Sequence, residues 1–243
     1  MYLCSVFRTT NNKLKEKTIM KKIMMIAAMM VATLSANAQN EVGQISIKPT
    51  VGLNIASMSK FDYKKNRVGM VFGLEGEYGV SKNFGVTAAL LYSMQGVKQE
   101  YSESINEYGI NISAGAKETY KLDYLNIPIM AQYYLVKGLA IKAGIQPGFC
   151  VSKKYDGEGN ITIAGQTIFS DQEKGKIEDA VNAFQFAIPV GLSYEYKNFV
   201  LDARYNIFLS KAFKDNDVNK LVGVADSRHS VFSITLGYKI PLN

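Results

Sequence analysis

Tryptophan is absent from the 243 residues, histidine occurs once, at His229, and cysteine twice, at Cys4 and Cys150. Any His-dependent mechanism must therefore use His229. Cys4 lies in an N-terminal stretch expected to fall before the true start at Met20, which leaves Cys150 alone. One cysteine cannot form an internal disulfide framework. Cys150 reads as a small buried residue, with a free thiol as the other reading. Pro- and Ser-rich linkers are missing, so a single domain is expected. Also missing is a helical membrane span: the apolar run Ile23 to Leu34 holds 12 residues, where roughly 20 are needed.

Charge of one sign is scarce too, once the formal +7 is located. Arg8, Lys13, Lys15, Lys17, Lys21 and Lys22 face only Glu16 before residue 39, and without that segment the net charge is +2. A chain so nearly balanced gives no electrostatic reason to expect nucleic acid as a partner. Met20-Lys21-Lys22, the run Ile23 to Leu34, and Ala36-Asn37-Ala38 before Gln39 have the order of a secretory signal. The expected organisation is an upstream extension over 1–19 outside the true start, a signal peptide over 20–38, and a mature domain over 39–243.

What is present in quantity is Tyr (15), Phe (12) and Gly (20), a composition that favours strands. Eight segments alternate apolar and polar residues, near 45–56, 67–80, 84–97, 120–135, 139–151, 183–196, 199–210 and 230–241. Each reaches the roughly 9 to 11 residues that a tilted strand needs to cross a bilayer. Ser81-Lys82-Asn83, Val136-Lys137-Gly138 and Lys197-Asn198 read as tight turns, whereas 57–66, 98–119, 152–182 and 211–229 read as long polar loops. Short turns on one side and long loops on the other predict an all-β, eight-stranded, antiparallel, up-and-down transmembrane barrel of a Gram-negative outer membrane, with both termini periplasmic.

Phe184, Phe186, Ile188, Val190, Leu192, Tyr194 and Tyr196 share one face of a strand whose other face carries Gln185, Ala187, Gly191, Ser193 and Glu195. Volume assigns these faces. An eight-stranded barrel has an interior only wide enough for side chains, so the bulky apolar face is expected to meet lipid. Tyr78, Phe84, Tyr133, Tyr134, Tyr194, Tyr196, Phe199 and Tyr238 are then expected to form an interfacial girdle at the short-turn end. The same parity turns Lys48, Glu75, Glu77, Lys142, Glu195, Asp202, Arg204 and Lys239 inward, four of each sign, as a self-neutralising structural network.

Ala36-Asn37-Ala38-Gln39, Leu122-Asp123-Tyr124-Leu125-Asn126-Ile127-Pro128, Gly144-Ile145-Gln146-Pro147-Gly148 and Phe232-Ser233-Ile234-Thr235-Leu236-Gly237-Tyr238 resemble the PorT-like outer-membrane β-barrel family of Bacteroidetes, and more broadly the small eight-stranded OmpA and OmpX type. The resemblance implies fold and location, and the family's namesake takes part in protein secretion across the outer membrane. Many such barrels end on an aromatic residue, whereas this chain ends Ile240-Pro241-Leu242-Asn243.

Three functional readings follow. The first is a monomeric structural or surface-interaction protein with a closed lumen, contacting outer-membrane lipids and binding a ligand or envelope protein through 98–119, around Tyr101, Tyr108 and Tyr120, and through 152–182. The second is a narrow diffusion channel. The third is a lipid-active enzyme using His229 beside Ser230, with Ser227 and Ser233 near. Asp156-Gly157-Glu158-Gly159-Asn160 has the spacing of a calcium loop, but its twelfth position is Thr167, so a glycine-rich hairpin tip is the plainer expectation. No catalytic set, cofactor or metal is expected.

Overall fold

A computed structural model describes residues 42–61, 63–107, 110–177, 180–215, 217 and 223–242. The extension over 1–19, the signal segment over 20–38, the cleavage point before Gln39, and Tyr108 lie outside the described residues. No helix among the described residues is long and apolar enough to cross a membrane.

Among the described residues there are eleven strands: β1 (Ile45–Met58), β2 (Lys64–Gly79), β3 (Phe84–Glu107), β4 (Ile110–Asn126), β5 (Ile129–Val136), β6 (Leu139–Ile163), β7 (Gln166–Lys176), β8 (Phe184–Tyr196), β9 (Phe199–Phe208), β10 (His229–Tyr238) and β11 (Ile240–Pro241). All pairings between them are antiparallel. The ring runs β1, β2, β3, β4 with β5, β6, β8, β9 and β10, and closes where β10 pairs with β1 from Thr50↔Gly237 to Met58↔His229. Eight staves therefore make the barrel, as the alternation predicts. Closure removes every free edge from the wall, which is what a backbone surrounded by hydrocarbon requires.

The stave expected over 120–135 is split at Ile127-Pro128, because proline has no N–H to give the ladder. Pairing resumes around it: Ala89 donates to the Pro128 carbonyl (3.0 Å) and Ile127 to that of Pro147 (2.9 Å).

The segments expected as loops over 98–119 and 152–182 are for the most part strand. Beyond Gln99, where β2 ends its pairing, β3 and β4 continue to Glu107↔Ile110, and β4 pairs with β6 as far as Ile112↔Ile163. β7 runs along the edge of β6. Together they make a four-stranded blade in the order β3-β4-β6-β7, which projects past the barrel rim by roughly 25 Å at about 3.3 Å per residue. Pairing satisfies backbone groups that an irregular loop of this length would leave to water. The region 156–160 is likewise interior to β6 and paired on both sides, so it is neither a hairpin tip nor a calcium loop. The tip is Ala164-Gly165, where both residues take positive φ, as a tight hairpin turn requires.

Face assignment follows strand parity throughout. Val51, Leu53, Phe72, Leu74, Leu90, Ile145, Phe149, Leu192, Leu201, Ile234 and Leu236 are exposed on the outer surface, while the inside holds polar and small residues and, at one end, large apolar ones such as Phe61, Leu122 and Phe213. An apolar surface of this extent exceeds what a water-soluble monomer carries. Of the expected girdle, Tyr78, Tyr133, Tyr196, Phe199 and Tyr238 are exposed on the outside. Tyr134 is the exception. It follows Tyr133 in one strand, so the pleat turns it inward, where it is buried.

Candidate functional site

The lumen is filled in layers. Nearest the blade, Met58, Phe61, Val97, Leu122, Tyr124, Val181, Ala212 and Phe213 form an apolar cork. Phe61 packs on Tyr120 and Phe213, with ring centroids 5.4 and 5.9 Å apart. Below it lies a layer of small apolar residues with Phe208: Ala56, Ala187 and Val231. Amides and hydroxyls follow: Asn54 donates to Ser93 Oγ (2.8 Å), Ser233 donates to Asn54 Oδ1 (2.7 Å), and Gln185 donates to Asn126 Oδ1 (2.9 Å). Each of these side chains lies at an inward parity position, so the same alternation that located the charges could have located them.

All eight inward charges expected from parity are brought into two clusters. In the first, Glu75 takes Lys48 Nζ (2.7 Å) and Lys142 Nζ (3.0 Å) on one carboxylate oxygen and Arg204 Nη2 (3.3 Å) on the other. Asp202 joins it through Lys142 (3.0 Å) and Arg204 (3.3 Å). In the second, Lys239 lies 3.1 Å from both Glu77 and Glu195. Tyr134 Oη donates to Glu77 (2.9 Å) and Gln132 Nε2 does so at 3.1 Å. The first cluster carries one surplus positive charge and the second one surplus negative, so they compensate only together. Sequence reasoning missed Tyr134 by assigning it to the girdle. Strict parity with its neighbour Tyr133 was the available signal.

Buried charges are tolerated when paired and hydrogen-bonded. Here pairing also fills the space. Within the charged layer a cavity bounded by residues including Thr50, Glu75, Gln146 and Arg204 measures about 20 Å³. That is room for about one water.

His229 does not occupy a loop. It starts β10, is buried, and its Nε2 lies 3.2 Å from Tyr124 Oη. Ser230, its neighbour in the strand, points to the other face and hydrogen-bonds Tyr205 Oη at 2.9 Å. Ser233 is committed to Asn54. The Ser–His adjacency of the sequence is thus separated by the pleat. Cys150 is half-buried with a free thiol. No group of three or more His, Cys, Asp or Glu side chains suited to a metal ion occurs among the described residues.

At the barrel rim the sheet carries further charges. Lys121 hydrogen-bonds Asp156, and that bond holds the Asp156 carboxyl below its usual range.

Comparison with curated proteins finds no match. Among solved structures, the chain is similar to Ail, the attachment invasion locus protein of Yersinia pestis, in complex with the heparin analogue sucrose octasulfate, at 17% identity over 82% of this chain and 100% of that one, with a TM-score of 0.42. It is similar to Neisserial surface protein A at 13% identity over 81% and 97% of the two chains, with a TM-score of 0.41. It is similar to OprG of Pseudomonas aeruginosa at 13% identity over 83% and 98%, with a TM-score of 0.31. A closed antiparallel ring with hydrocarbon-compatible walls and a charge-filled interior accords with the family model that matches residues 37–214: this chain belongs to the outer membrane protein beta-barrel domain family.

Proposed function

We propose that the protein is a closed, non-conducting outer-membrane barrel whose role is to hold the β3-β4-β6-β7 blade outside the cell as an interaction surface, with both termini in the periplasm. The observation that carries this reading is the combination of a sealed lumen and a blade extending beyond it. A barrel corked by Phe61, Leu122, Tyr124 and Phe213 and filled below by eight paired charges has no room for a solute. The described chain outside the barrel wall is concentrated in one sheet, and binding function commonly resides in such projections from a rigid scaffold. Periplasmic termini are supported by the asymmetry of the connections. The turns around Lys82, Lys137 and Lys197 are short, while the opposite end carries the blade.

Its partner class is a surface ligand or another envelope protein, and the barrel acts as a monomer without catalytic chemistry. The PorT-like resemblance makes protein secretion, alongside adhesion, the process in which to look for that partner. Two measurements test the reading. A Gly165→Cys variant in a Cys150→Ser background should react with a membrane-impermeant maleimide on intact cells, whereas Lys137→Cys should react only after the outer membrane is opened. Purified protein in planar bilayers should show no stepwise conductance. Discrete conductance would replace this reading with the narrow channel. Labelling of Lys137→Cys alone on intact cells would invert the topology.

A further inference from the structure

Beyond Gln99 the two faces of the blade differ in chemistry. The inner face continues the lumen-facing parity of Leu122, and it carries Ile105 on β3, Ile112 on β4, Ile161 on β6 and Phe169 on β7, all exposed. Between them the two middle strands are low, with Ala114 and Ala116 on β4 and Gly157 and Gly159 on β6. No atom lies within 4 Å of where a side chain at Gly159 would begin. The outer face over the same length is polar, and its charges Glu100, Lys117, Glu158 and Lys174 balance. Among the described residues the outward apolar side chain there is Ile168, in the bulge of β7.

Charge on the inner face is of one sign. Glu103 stands on β3 at one rim, Asp171 and Glu173 on β7 at the other, and Glu118 at the foot. Above Gln99 the lysines of these strands, Lys117, Lys174 and Lys176, belong to the outer face. Lys64 of β2 stands beside Gln99 and ends the foot row, while Lys60 and Lys153 lie below it at the barrel mouth. The ion pairs of this sheet, Lys65–Glu100 and Lys121–Asp156, are on the outer face. Glu103, Asp171 and Glu173 form none among the described residues, and Glu103 is hydrogen-bonded by Tyr101. The inner face is therefore an apolar trough with a carboxylate rim on each side.

Its size selects the occupant. From the Glu118 row to the Ile112 row is about 20 Å, and four strands span about 14 Å, so the trough covers roughly 300 Å². A stable dimer or a folded partner needs about 800 Å² on each side. A single helix, about 10–12 Å across, fills the width, and about 13 of its residues fill the length. We infer that this trough binds a free cationic amphipathic peptide as a helix lying along the strands, with its apolar stripe on Ile112, Ile161 and Phe169 and its lysine or arginine side chains against Glu103 on one rim and Asp171 and Glu173 on the other. Apolar contact in a groove sets the register of such a helix, and the flanking charges set its sign. This inference rests on the proposed role of the blade as an interaction surface and names the ligand it takes.

The test uses the full, folded chain in discs of zwitterionic phospholipid, where both sides of the membrane are open to the peptide, with empty discs as the blank. The probe is a fluorescein-labelled peptide of lysine and leucine, about 13 residues long, with its leucines at i, i+3, i+4 and i+7. Its comparator has the same composition in an order that spreads the leucines around the helix. Wild type should bind the first in a salt-sensitive manner and the second about 10-fold more weakly. Glu103→Gln/Asp171→Asn/Glu173→Gln should lose about 10-fold, and Ile112→Thr/Ile161→Thr, which keeps the strand propensity, a similar factor. Glu158→Gln on the outer face should stay within about 2-fold of wild type. A preserved gel-mobility shift on boiling verifies that each variant is folded. Undiminished binding by the two trough variants, equal binding of the two peptides, or an equal loss in Glu158→Gln would overturn the site. A dimer of the full chain in detergent that Ile112→Thr/Ile161→Thr abolishes would give the face to a second copy and equally overturn the assignment. The maleimide experiment reads orientation independently, so failure to bind with Gly165→Cys labelled from outside refutes this inference alone.

Discussion

Glu75 is the residue on which the lumen turns, because both of its carboxylate oxygens are engaged by cations from three other strands, Lys48 on β1, Lys142 on β6 and Arg204 on β9. Glu75→Gln keeps the shape but leaves three buried cations against Asp202 alone. Breaking a buried pair by removing one partner costs about 3–5 kcal/mol, and a loss of that order is expected. With no tryptophan to report on folding, circular dichroism against denaturant in detergent micelles is the suitable measurement. A change below about 1 kcal/mol would show that the cluster is not electrostatically tight. Tyr134→Phe probes the second cluster more gently. It removes the phenol that donates to Glu77 at 2.9 Å while keeping the ring. A hydrogen bond to a charged group is worth about 1.5–3 kcal/mol. Tyr133 faces outward and is exposed. Removing its hydroxyl instead should have the small effect of a surface substitution, within about 0.5 kcal/mol.

At the scale of the element, the barrel staves and the blade differ in what holds them. A stave has a neighbour on each edge and one face against the packed lumen. β7 has one neighbour and every one of its side chains exposed. Its contribution to barrel stability is therefore small. Excising residues 157–173 and joining Asp156 to Lys174 by an Asn-Gly turn should leave the gel-mobility shift intact and the unfolding midpoint nearly unchanged. Loss of the shift would mean that the blade is needed for closure.

Element ends were the part least legible in sequence. The alternation over 45–56 or 199–210 is unmistakable because one face must be apolar for lipid. Above the rim both faces of the blade meet water, so apolar residues are too few on either to make a continuous alternation, and 98–119 and 152–182 read as polar loops. The interruption at Pro128 was invisible for a different reason: alternation continues through it, and only the missing N–H breaks the ladder.

For the whole molecule, the proposed reading has the lumen closed twice over, by the apolar cluster around Phe61 and by the charged cluster around Glu75. Opening one should not open the other. Phe61→Ala combined with Phe213→Ala should loosen the mouth, yet bilayer recordings should remain silent because Glu75, Lys142, Asp202 and Arg204 still fill the section below. Adding Glu75→Ala and Arg204→Ala to that variant should be required before any conductance appears. Conductance from the cork variant alone would place the seal at the mouth.

The sequence by itself determined the number of barrel staves, the face that meets lipid and the inward parity of the eight charged positions, because each follows from a two-residue period read against one volume argument. Only the tertiary structure decided which charges meet. That requires side chains from β1, β2, β6 and β9 to converge around Glu75, and convergence depends on the stagger of strands far apart in the chain. Tertiary structure likewise separated His229 from Ser230, turned Tyr134 inward, and brought Ile112, Ile161 and Phe169 onto one face of the blade. Period describes a single strand; register relates two, and it is set by the ring as a whole.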